Sequence, residues 1–168
     1  MTKRFPFPVP TGWFAVHWST DLEVGQVKPI RYFARDLVIF RTSDGVAHVL
    51  DAHCPHLGAH LGHGGCLEED KLVCPFHAWK FSGDGSIAEI PYAKKIPKKT
   101  GVHAWEVSEK NGMIMVWHDL AGRAPMWDHP TVPEVGDAGW TQVRTRHWSV
   151  ATCNQEMAEN QVDAAHFQ

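Results

Sequence analysis

From Gly12 to Asp119 the chain alternates short apolar runs with turn-forming residues. Trp13 to Trp18, Val27 to Phe33, Leu37 to Thr42 and Val46 to Asp51 are rich in β-branched and aromatic residues, which predicts four successive strands. Ser43-Asp44-Gly45 separates the last two and predicts a tight hairpin, because Asp-Gly supplies the positive φ angles such a turn needs. Lys71-Leu72-Val73 and Trp79-Lys80-Phe81 read as short strands, and Gly83-Asp84-Gly85 as the next turn. Val102 to Val107 and Met113 to Trp117 close the set, joined through Asn111-Gly112. Strands this short at this spacing predict a mainly β fold, a small antiparallel sandwich or barrel with the loop-rich stretch 54–77 at one tip.

The pattern changes after Asp119. Residues 120–140 hold Gly122, Pro125, Pro130, Pro133, Gly136 and Gly139, which reads as a linker. Thr141 to Val150 has strand character, and Asn154 to Asn160 contains helix formers and no breaker. The expected organisation is an extended lead-in over 1–12, a β domain over 13–119, the linker 120–140, and a short α-helical start of another domain over 141–168.

Composition narrows the class. At 168 residues with 43% hydrophobic and 21% charged content, the chain has the make-up of an ordinary soluble domain. A formal net charge of -3 and the lack of a basic run speak against a nucleic-acid partner. No stretch approaches the roughly 18 consecutive apolar residues of a membrane span, and the N-terminus shows no signal-peptide pattern, so a cytoplasmic location is expected. Twelve histidines are unusual, and histidine is the commonest metal ligand.

Candidate chemistry concentrates in one place. Cys54-Pro55-His56 and Cys74-Pro75-Phe76-His77 deliver two thiols and two imidazoles, with seventeen residues between His56 and Cys74. Zinc accepts Cys2His2 sets, but a zinc finger pairs its cysteines in one motif and its histidines in the other. Here each half carries one of each, which suits a 2Fe-2S cluster with two thiolates on one iron and two imidazoles on the other. Two ferric ions, two sulfides, two thiolates and two neutral imidazoles sum to zero charge. Four thiolates would leave minus two, so the mixed set accepts an electron more readily. Pro55, Gly58, Gly62, Gly64, Gly65 and Pro75 supply the turns. His60 and His63 are expected to be polar loop residues, Trp79 to pack on the ligand loops, and Cys66 and Cys153 to be unpaired thiols.

Cys54-Pro55-His56-Leu57-Gly58 together with Cys74-Pro75-Phe76-His77-Ala78-Trp79 resembles the Rieske domain of ring-hydroxylating oxygenase alpha subunits. The extra cysteines of the high-potential respiratory branch are absent, with Ala59 and Phe76 near their places. Pro91-Tyr92-Ala93-Lys94-Lys95-Ile96-Pro97, Trp105 and Met115-Val116-Trp117-His118-Asp119 are similar to the branch holding 3-ketosteroid 9-alpha-hydroxylases and cholesterol 7-desaturases. Glu159-Asn160-Gln161-Val162-Asp163-Ala164-Ala165-His166 resembles the start of the family's catalytic domain.

That resemblance implies several roles. Cys54, His56, Cys74 and His77 would bind the 2Fe-2S cluster. His166 would be a ligand of a mononuclear Fe(II), and Asp163 the aspartate that bridges that iron to His77 of a neighbouring subunit. It also implies an NAD(P)H-dependent reductase or ferredoxin as electron donor, a homo-oligomer (a trimer), and a small apolar substrate oxidised with dioxygen. The motif's second histidine would fall three residues past Gln168, so the chain is expected to be the N-terminal part of such an enzyme. A stand-alone Rieske ferredoxin-type carrier is the other reading.

Overall fold

β3 (Arg35–Arg41) is the spine of the molecule, and its sequence explains why. Leu37, Val38, Ile39 and Phe40 are all fully buried, although successive strand residues point to opposite faces. Leu37 and Ile39 join one apolar cluster with Val16, Leu22, Val49, Ile114 and Val116. Val38 and Phe40 join another with Leu50, Cys54, Leu61, Leu72, Cys74, Trp79, Phe81 and Ile87. A continuous apolar run is what a strand covered on both faces requires.

The computed structural model describes residues 8–97 and 100–167, without the side chains of Asn154, His166 and Phe167. The lead-in through Phe7 therefore lies outside the described residues, as does the His166 side chain. Three antiparallel sheets form. In the middle, β2 (Val27–Tyr32) and β4 (Ala47–Asp51) flank β3. On one side β1 (Gly12–Trp18) pairs with β10 (Met113–His118), which pairs with β9 (Val107–Lys110). On the other lie β5 (Cys66–Glu68), β6 (Lys71–Val73), β7 (Lys80–Phe81) and β8 (Ile87–Glu89), in that order. The mainly β antiparallel fold expected from the sequence is what forms.

The turns use two chemistries. Asn111 and Gly112 have φ of 55° and 74°, as do Phe33 and Ala34 at 55° and 58°, the double positive φ of a two-residue hairpin loop. Between Thr42 and Val46 only Gly45 is left-handed, at 84°. The loop is three residues long, and the Asp44 carboxylate accepts from the Val46 N–H at 3.1 Å. Expecting both Asp44 and Gly45 at positive φ was one residue too generous.

Other expectations shift. β5 and β8 have no counterpart in the predicted strands. The predicted strand Val102 to Val107 enters β9 only at its last residue. Its earlier part lies along β4 through a single bridge, Leu50 to Ala104, with the Asp51 N–H donating to His103 O and the Trp105 N–H to Val49 O, each at 2.9 Å. Thr141 to Val150 forms no strand, because no described segment pairs with it and strand propensity alone does not satisfy a backbone. Residues 123–132 also lack regular structure but lie against the β1–β10–β9 sheet. Trp13 donates to Trp127 O at 2.7 Å, Trp117 donates to Arg123 O at 2.9 Å, and Asn111 donates to Pro130 O at 2.9 Å. Helix α1 (Asn154–Val162) forms as expected.

One part-buried ion pair ties the spine to the outer sheet. Arg41 donates bidentately to Glu109 at 2.9 and 2.8 Å, and its remaining donors reach Leu22 O at 2.8 Å, Gly45 O at 2.6 Å and Ser19 O at 3.3 Å. The Arg41 hydrogen bonds hold the Glu109 carboxyl below its ordinary pKa, and burial opposes them only in part. A carboxylate with a depressed folded-state pKa adds stability above its unfolded pKa and loses it as pH falls through the folded value. Glu109→Ala removes the charged partner of Arg41 but leaves its three carbonyl acceptors, and is expected to cost about 1–2 kcal/mol. Denaturant titrations should show that difference at neutral pH and see it shrink below about pH 4.

Candidate metal centre

The two ligand loops are built alike. In the first, the Cys54 N–H donates to Ala59 O at 2.9 Å and the Gly58 N–H to Cys54 O at 2.9 Å. In the second, the Cys74 N–H donates to Trp79 O at 2.8 Å and the Ala78 N–H to Cys74 O at 3.1 Å. The fifth residue of each loop is left-handed, Gly58 at 76° and Ala78 at 54°. Gly58 adopts that conformation freely, whereas Ala78 does so against the preference of its Cβ. Each loop thereby turns its cysteine inward and lifts its histidine to the surface.

The consequence is a paired donor set. Cys54 and Cys74 are 2% and 3% exposed and belong to the apolar cluster beneath the loops. Burial pushes the Cys54 thiol up to about 11 and the facing Cys74 thiol adds to this, while the His56 and Leu57 backbone N–H groups pull the other way. Above them the His56 and His77 rings stand 4.7 Å apart, centroid to centroid, at 73°. His56 is half-buried and His77 exposed. Among the described residues no three His, Cys, Asp or Glu side chains gather where they would hold one ion. Two thiols on one side and two imidazoles on the other is the division of a binuclear centre, whereas zinc asks for four donors around one point. The Cys54 thiol, raised by burial, resists ionisation unless a metal compensates the charge, which such a centre would do.

Trp79 does more than fill core. It is buried, and its ring lies flat on His56, with centroids 4.8 Å apart and planes at 8°. Its indole N–H donates to the Tyr92 hydroxyl at 2.6 Å. The sequence marks Tyr92 only as part of the family resemblance over 91–97 and not as a partner of Trp79, since thirteen residues and two turns separate them and no periodicity links them. Phe76 sits edge-on to His77 at 5.6 Å, and Leu57, Phe76 and Tyr92 are all exposed, giving the tip an apolar collar. His60 and His63 form a separate pair 4.3 Å apart, with His60 Nδ1 accepting the Gly62 N–H at 3.1 Å. Cys66 and Cys153 are free and exposed.

Asp163 and His166 lie on another element. Asn160, Asp163 and His166 would share a face on a continuous helix, but α1 stops at Val162. Asp163 is extended (φ -78°, ψ 99°), its carboxylate accepts the Ala165 N–H at 3.0 Å, and a 3-10 turn follows over Ala164–Phe167. Local bonding of this kind is how aspartate ends helices.

Residues 12–117 match the Rieske [2Fe-2S] domain, and residues 116–168 match the 3-ketosteroid 9alpha-hydroxylase C-terminal domain. A cholesterol 7-desaturase of Bombyx mori is 39% identical over 99% of this chain and 36% of its own length. A 3-ketosteroid-9-alpha-monooxygenase oxygenase component of Rhodococcus rhodochrous is 36% identical over 93% of this chain and 40% of its own. The crystal structure of dicamba monooxygenase superposes with a TM-score of 0.63 at 27% identity, over 70% of this chain and 38% of that one. The chain thus spans between a third and two-fifths of the length of such relatives.

Proposed function

Because the chain belongs to the Rieske [2Fe-2S] family, in its oxygenase branch, we propose that it is the electron-delivering part of a Rieske non-heme iron oxygenase. The observation that carries this reading is the division of the two loops into a buried thiol pair and a surface imidazole pair. Cys54 and Cys74 would hold one iron of the 2Fe-2S cluster and His56 and His77 the other. The cluster, when bound, supplies storage of one electron at a time. The chain's own residues do the rest. The apolar cluster around Cys54 and Cys74 keeps water from the sulfurs, and the His56 and Leu57 N–H groups stabilise negative charge on Cys54. The exposed His77 presents an imidazole edge to whatever takes the electron.

The same reading makes residues 13–119 the cluster domain, 120–140 a connection and 141–168 the beginning of a catalytic domain. Exposed Trp140, Val143, Trp148, Val150 and Val162 are the surface such a domain would cover. Asp163 is proposed to bridge to His77 of a neighbouring subunit in a homo-oligomer, a trimer by family resemblance, and His166 to be a ligand of mononuclear Fe(II). The substrate class is apolar and steroid-like, oxidised with dioxygen, with an NAD(P)H-dependent reductase or a ferredoxin as donor. A cytoplasmic setting fits these partners, and no helix among the described residues is long and apolar enough to cross a membrane.

The test is iron and acid-labile sulfide content, with a visible spectrum and a reductive titration. About two irons and two sulfides per chain, with uptake of one electron, are expected. A colourless protein holding zinc contradicts the proposal. A full-length protein that carries the cluster but oxidises no steroid-like substrate leaves only the carrier role.

A further inference from the structure

The two imidazoles of the tip have different surroundings. His77 is exposed and, among the described residues, its ring meets the Phe76 edge and His56 alone. His56 is covered by Trp79, stacked at 4.8 Å, and Trp79 is bonded at 2.6 Å to Tyr92, whose ring centroid lies 6.4 Å from that of His56. Tyr92 is 62% exposed. Three packed rings therefore link half-buried His56 to exposed Tyr92, which lies on a distinct piece of chain.

That piece is the exposed stretch 91–97, with no helix or strand of its own. It presents Tyr92 and Ile96 as apolar contacts and Lys94 and Lys95 as charges. Neither lysine has an ion-pair partner among the described residues, and positions 90 to 97 contain no acidic residue. The chain as a whole carries a formal charge of -3, so this is a local positive feature on an acidic molecule. An apolar centre with a charged rim is the make-up of small, transient protein interfaces. Rim charge sets how fast two such surfaces meet and how strongly salt slows them.

We propose that Tyr92, Lys94, Lys95 and Ile96 form the docking surface for an acidic electron-donor protein, and that Trp79 and Tyr92 couple this surface to His56. This rests on the reading of the chain as a Rieske electron carrier and adds to it the place and charge of the donor. The redox step moves one electron. The donor's reduced iron-sulfur centre is oxidised by one and the centre held by the tip is reduced by one, with no bond formed or broken. His77, on the other flank, stays available for delivery.

The experiment uses the whole chain and a purified acidic 2Fe-2S ferredoxin, photoreduced, as probe. Stopped-flow reduction is followed against ferredoxin concentration and ionic strength, with photoreduced deazaflavin as an uncharged small reductant for comparison. For K94E/K95E the ferredoxin concentration at half-saturation should rise tenfold or more at low salt, and the salt dependence should flatten or reverse. Its visible spectrum, reduction potential and reduction by deazaflavin should match the parent. Y92A should leave half-saturation within about threefold while lowering the limiting rate at saturating ferredoxin at least fivefold, again at an unchanged potential. Unchanged ferredoxin kinetics in K94E/K95E would overturn the docking surface. A Y92A limiting rate equal to the parent's would overturn the coupling role. A parent chain that binds no cluster would instead sink the carrier reading beneath both.

Discussion

Cys74→Ser should leave a folded protein without iron or colour. Cys74 lies in the apolar cluster with Leu72, Trp79 and Phe81, at 3% exposure. Thiolate sulfur is the soft donor that iron-sulfur chemistry demands, and a serine hydroxyl at this position is a poor replacement. It would also sit among apolar neighbours, at a cost of about 1–3 kcal/mol if unpaired. Iron is expected to fall from about two per chain to near zero, and the visible absorption with it. Cys74→Ala serves as the companion, since it removes the ligand without adding a buried hydroxyl. Both should keep the β-rich circular dichroism of the parent, because the loop is held by backbone bonds such as Cys74 N–H to Trp79 O. Full iron retention in Cys74→Ala would remove Cys74 from the ligand set.

Gly65→Ala should damage the fold and the site together. A Cβ on Gly65 would lie 2.1 Å from Leu61 O and 3.0 Å from Val73 O, and both obstacles are backbone. Leu61 is anchored by its N–H to Ala52 O at 2.7 Å, and Val73 is in β6 directly before Cys74. Neither can retreat without moving a ligand loop. A loss of about 3 kcal/mol is expected from this overpacking, measured by urea titration, with cluster occupancy falling in parallel. Gly58→Ala makes an instructive contrast. Nothing lies within 4 Å of its Cβ position, but φ is +76°, so only backbone strain of about 1 kcal/mol opposes it. The Ala78 loop already tolerates the same substitution in the equivalent place.

The contrast between those glycines marks what could be read from the chain. The four-residue run Leu37-Val38-Ile39-Phe40, the Asn111-Gly112 turn and the mirrored Cys-Pro pairs are local signals, and each appears in the structure where the spacing puts it. Cys66–Glu68 and Ile87–Glu89 are three-residue strands that exist only through pairing with β6 and β7, and such segments are too short to show a period of two. Thr141 to Val150 carries strand propensity without a described partner. The Trp79–Tyr92 bond and the left-handed Ala78 are tertiary facts. Nothing in a Tyr thirteen residues downstream, or in an alanine where glycine would be expected, announces them. The proposed roles of Asp163 and His166 come from likeness to a family motif, and the break of α1 at Asp163 has no breaker residue to signal it.

The central claim is that two imidazoles and two thiols of this one chain divide between the irons of a single 2Fe-2S cluster. Electron–nuclear double resonance on the reduced protein, expressed with 15N-histidine, tests it directly. Two distinct directly bound 15N couplings are expected, both absent from the unlabelled protein, and His77→Ala should leave at most one. A reduced cluster with no 15N coupling, or a protein that gives no reduced-cluster signal and holds zinc, would contradict it.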